Sequence, residues 1–103
     1  MKLIEQISDR IEEEIDDASE YAQLALAEKE SHRWLADSLY SISEDEMKHM
    51  GILHDIVVRL IEEYRENVGE PPADMLARYE YLHKRHIKAA KEAKLYQMMY
   101  REN

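Results

Sequence analysis

The sequence predicts an all-α protein, and three observations predict it. Gly and Pro number two each in 103 residues, so the chain has few places to turn. Apolar residues recur in steps of three and four, the spacing of one helix face, and no stretch alternates as a strand would. Two short segments, "AEKESHRW" at 27–34 and "NVGEPPAD" at 67–74, interrupt that pattern and divide the chain into three. A single domain over residues 1–103 follows, with helices at about 2–28, 32–67 and 72–100.

The first helix is expected to bury Ile4, Ile7, Ile11, Glu14, Ala18, Tyr21 and Ala25. Ser31 then offers an N-cap for the second helix, with Trp34 anchoring its start. That helix carries Leu35, Leu39, Ile42, Glu46, His49, Leu53, Ile56 and Leu60 in similar steps. Gly69 suits its C-cap, and Pro71–Pro72 suit the first turn of the third helix. The third stripe is less sharp: Met75, Tyr79, Leu82, His86, Ala89, Ala93 and Tyr96. Short connections make the first two helices an antiparallel hairpin, with the third packed on it or reaching a partner chain. Tyr96, Met98, Met99 and Tyr100 suggest an apolar patch for oligomer contacts.

Composition narrows the function. A net charge of -9 argues against nucleic acid as the main partner and is compatible with cation capture. There is no Cys, which excludes disulfides, thiolate metal sites and thiol catalysis. No long uncharged apolar run is present, so no membrane span is expected, and the charged start "MKLIEQISDR" does not read as a signal peptide. The expected location is the cytoplasm. No phosphate-binding glycine loop and no Ser/His/Asp arrangement stands out.

The pattern is most informative where it fails. Glu14 interrupts the first stripe, and Glu46 and His49 interrupt the second. An ionised carboxylate in an apolar seam is strongly unfavourable unless it is paired, protonated, hydrated or bound to a cation. No Lys or Arg lies on either stripe. The other acids nearby, Glu12, Glu13, Asp16, Glu44 and Asp45, fall off the stripes and read as solvated. Glu-x-x-His on one helix offers an oxygen and a nitrogen from one face, a mixture that suits iron, manganese or zinc better than calcium or magnesium. The pattern is short, and it occurs again at Glu80–His83. Its weight comes from its combination with Glu14 on the facing helix. His54 reads as a flanking or surface residue, and His83 and His86 as packing residues before peripheral metal ligands.

Glu14, Tyr21 seven residues later, and "EDEMKH" in the next helix together resemble half of a ferritin-like domain, over about residues 4 to 65. Rubrerythrins and the encapsulated ferritins show a similar arrangement. The resemblance implies a di-iron site with Glu14 as the single-helix ligand, Glu46 as the bridging carboxylate and His49 as the terminal nitrogen ligand. Tyr21 would stand beside the ligands on the access side. Ferritin-like sites take a Glu from each of two helices and Glu-x-x-His from each of two others, and one chain here has room for one such half. The resemblance therefore implies a homodimer forming a four-helix bundle, as in the encapsulated ferritins, whose dimers join into a ring. It also implies oxidation of Fe(II), with Mn or Zn as other possible occupants. The tail that directs encapsulated ferritins into a protein shell is not visible here, and the Cys-ligated iron of rubrerythrins has no ligands in this chain. Two alternatives stay open: a metal-free helical interaction module, and a redox-inert Zn or Mn site.

Overall fold

A computed structural model of the chain describes residues 2–102. Three helices account for most of it: α1 (Lys2–Glu28), α2 (Arg33–Asn67) and α3 (Ala73–Glu102). They lie side by side in a rod 55 × 19 × 18 Å, whose length is that of α2: 35 residues at ~1.5 Å each span roughly 52 Å.

The turns follow from local chemistry. Val68 and Gly69 both donate their N–H to the Tyr64 carbonyl, at 2.8 and 3.1 Å, and close the end of α2. Gly69 has φ +129°, a value side chains resist, so glycine is required there. Pro71 and Pro72 precede α3 and do not form its first turn; the Pro72 carbonyl accepts the Leu76 N–H at 3.1 Å. The cap of α2 is His32, not Ser31, and its side chain makes no capping bond. The Ser31 hydroxyl instead donates back to Glu28, at 3.3 Å. Trp34 is 68% exposed and rests edge-on against His32, so it anchors nothing in the core.

α1 and α2 form the antiparallel hairpin, and α3 runs along α1 in the same direction. Arg78 pairs with Glu5 at 2.9 Å and Arg85 with Glu12 at 2.6 Å, one constant offset along two parallel helices. The second pair leaves Glu12 half-buried, not solvated. The main core joins Ile4, Ile11 and Ile15 of α1 to Val57 and Ile61 of α2 and Ala90 of α3. At the other end Ala25, Ala36 and Tyr100 form a smaller core. Tyr100 is therefore buried and donates to Asp37, while Met98 and Met99 stay exposed.

The stripes read from the sequence are rotated relative to the buried ones. On α1, Ile4, Ile11, Ala18 and Ala25 are buried as expected, but so are Ser8, Ile15 and Ala22. Ile7, Glu14 and Tyr21 lie on the opposite flank and are half-buried. On α2 the buried residues are Ala36, Ser43, Val57 and Ile61. Ile42, His49 and Ile56, expected inside, form an exposed row at seven-residue spacing. The cause is α3, which covers one side of the hairpin and leaves the other uncovered.

Candidate metal centre

Glu14 stands one turn beyond buried Ile11 on α1, and Glu46 and His49 stand one turn apart on α2. The antiparallel hairpin brings the three to one level on its uncovered flank. One ligand atom from each lies within 4.8 Å of the others. His49 Nδ1 is 3.4 Å from Glu14 Oε2. Among the described residues this is the one group of three or more such side chains that could hold a metal ion.

Burial across the group is graded. The Glu14 side chain is 25% exposed and that of His49 56%. Glu14 Oε2 is itself buried and receives no hydrogen bond; His49 Nδ1, 3.4 Å away, is a charged partner only when protonated, and the neighbouring Glu46 is a second carboxylate. A proton kept on Glu46 removes the conflict. The Glu46 carboxyl is accordingly pushed up to about 7, first by its hydrogen bond with Glu14, then by burial and by the charges of Glu14 and Asp17, with His49 opposing. Burial, Glu12 and Asp17 also raise Asp16, one turn from Glu12 on α1. Asp16 is opposed by Arg85 and His86 and so lies toward α3, whereas among the described residues no Lys or Arg forms an ion pair with Glu14 or Glu46.

The donor set is two carboxylates and one imidazole, and one carboxylate oxygen receives no hydrogen bond. That set fits a divalent first-row ion. Tyr21 lies on the same flank, two turns (~10 Å) along α1 from Glu14, and is half-buried. The second Glu-x-x-His is different. Glu80 is exposed and pairs with Lys84 at 3.5 Å, while His83 stacks on His54 and Tyr79. Neither meets a carboxylate from another helix in a metal-holding group.

A polar junction inside the core was missed in the sequence. The Ser43 hydroxyl donates to the Ala18 carbonyl at 2.6 Å and accepts from Gln97 Nε2 at 2.9 Å, which links all three helices. The one signal was a Ser and a Gln at the phase of buried alanines. No helix among the described residues is long and apolar enough to cross a membrane. Comparison with protein-family models, curated proteins and solved structures gives no match.

Proposed function

We propose that this chain binds divalent metal, iron foremost, through Glu14, Glu46 and His49, and that two copies join their uncovered flanks into a ferritin-like four-helix bundle that oxidises Fe(II). The convergence of three ligand atoms from two helices within 4.8 Å, around a buried oxygen that receives no hydrogen bond, carries the reading.

Each side chain has a distinct task. Glu46, pushed up to about 7, is partly protonated near neutral pH and would give up that proton to an arriving cation. Glu14 would present its buried oxygen to the cation, from a turn of α1 that the buried Ile11 and Ile15 fix against the core. His49, in its neutral form, offers a nitrogen lone pair from the exposed edge. Iron in such a donor set, with positions left open, supplies one-electron chemistry toward dioxygen or peroxide. Tyr21 borders the same flank and would stand on the access side.

The second copy follows from what one chain lacks. Ile42 is 38% exposed and Ile56 40%, on either side of His49 along α2. A two-fold axis through this flank would cover both and double the ligands to four carboxylates and two imidazoles. Two divalent ions balance four carboxylates. Without them the carboxylates repel and take up protons.

A metal-free interaction module is favoured by one observation: a protonated Glu46 and His49 together satisfy Glu14 without any ion. Elemental analysis separates the two. Protein purified without chelator is expected to hold metal that Glu46→Ala lacks. Equal metal in both proteins decides for the module. Oxygen consumption on adding Fe(II), absent in Glu46→Ala, distinguishes oxidation from an inert Zn or Mn site.

A further inference from the structure

A second site lies on the covered side of the hairpin. Between α2 and α3, above α1, is a cavity of about 290 Å³. Its floor is apolar: Ile11, Met50 and Ala90. Its wall is three imidazoles, His54 from α2 and His83 and His86 from α3. Lys91 and Lys94 stand at the rim, both exposed. Glu14 points away from it. Glu12 faces α3 through Arg85, and two residues along a helix turn the side chain roughly 200°.

Three features mark the cavity as built for a ligand. His86 is 92% buried by its 8% exposure, and its Nε2 has no hydrogen-bond partner. His54 and His83 stack at 5.0 Å with planes 18° apart, which fixes two aromatic rings side by side in the wall. The charged side chains in the lining are lysines, in a chain whose net charge is -9. That local sign decides between ligand classes. No carboxylate lines the cavity, and the three imidazoles do not form a metal-holding group. A cation would meet two ammonium groups at the rim, while the nearest carboxylates, Glu12 and Asp16 on the far side of His86, lie outside the lining and Glu12 is paired with Arg85. An anion would meet two partners.

We propose that this cavity binds a small organic anion with a flat apolar body, an aromatic carboxylate, its charge at Lys91 and Lys94 and its ring against Met50 and the His54–His83 stack. The volume is at the lower end of small-molecule sites, which fits one or two rings. Burial holds His83 and His86 below the ordinary imidazole range, so each keeps one N–H to donate and one lone pair to accept. The inference does not depend on metal binding at Glu14.

The test uses the full chain with 2-naphthoate and its neutral analogue 2-naphthamide, by calorimetry and by histidine ring NMR. The expected result is one naphthoate per chain, with ring-nitrogen shifts at His83 and His86. The amide should bind roughly tenfold more weakly, the contribution of two rim ion pairs. Lys91→Gln/Lys94→Gln should weaken naphthoate roughly tenfold and leave the amide unchanged. Both lysines are exposed, so the variant is expected to fold, and the comparison of acid with amide in the unaltered chain needs no variant. Absent saturation, equal affinity for acid and amide, or shifts confined to other residues overturns the proposal. Zn(II) uptake by Glu46→Ala that is lost in Glu46→Ala/His83→Ala also overturns it, since the cavity would then be an imidazole metal site.

Discussion

Glu46 is the residue at which protonation and stability are most directly linked. Its folded pKa is about 7 against 4.5 for the free side chain. A carboxyl raised in this way favours the folded state fully below pH 4.5, and the advantage is lost as pH rises through about 7. Above that pH the folded protein holds two neighbouring carboxylates that the unfolded chain separates. Glu46→Gln removes the repulsion and can still donate to Glu14. In the presence of a chelator it is expected to stabilise the protein at pH 8 by about 1 kcal/mol, a figure reduced for the solvent that reaches Glu46. At pH 4 the substitution should be neutral. Thermal melts at both values check it; an equal gain at pH 4 would mean that packing, and not charge, is responsible. Ser43 offers a contrasting case, a buried polar group whose bonds are complete. Ser43→Ala strands Gln97 Nε2 and is expected to destabilise by about 1–3 kcal/mol, with Ser43→Ala/Gln97→Met recovering part of the loss. Chemical denaturation of the two variants reads the difference.

At the scale of the helices, the number and limits of the elements were legible because breaks are local chemistry. Gly69 with the two prolines cannot be read as helix interior, and residues 28 to 33 lose the apolar spacing. The phase of the buried face was less legible, because it depends on which flank a third helix covers. Ile15 and Ala22 are one position beyond Glu14 and Tyr21, and both rows look acceptable in isolation. Small side chains settle it physically. Ala18, Ala22, Ala25 and Ala36 have no exposed surface, so the helices approach closely there and only a small residue fits. Ala22→Leu is therefore expected to destabilise by about 1–3 kcal/mol through overpacking, whereas the same change at exposed Ala27 should have little effect. Similar losses at the two positions would show that the close approach is absent. The metal-ligand candidates were legible for the opposite reason. A charged residue at an apolar phase is visible without knowing the packing. The cavity was not, since His54, His83, His86, Lys91 and Lys94 come together only when α3 docks.

For the whole molecule, the decisive question is what covers the flank that carries Glu14, Ile42, His49 and Ile56. The proposed second copy would account for the isoleucines and the acids together, and it would make assembly depend on metal. If ions bind the paired flanks and not the single one, they must tighten the dimer by the same free energy that the dimer lends to their binding. One site at a free ion concentration of 100 times its Kd contributes about 2.7 kcal/mol, roughly a hundredfold in the dimer Kd. Sedimentation equilibrium under anaerobic conditions, with and without Fe(II), is expected to show that shift in the unaltered chain and none in Glu46→Ala. Ile42→Asp/Ile56→Asp places charge on the same flank without touching a ligand, and both positions are partly exposed in the single chain. This variant should stay helical and monomeric, and bind metal weakly. A dimer that persists in the aspartate variant puts the interface elsewhere on the rod. A dimer Kd indifferent to Fe(II) means that the two flanks do not share the ions.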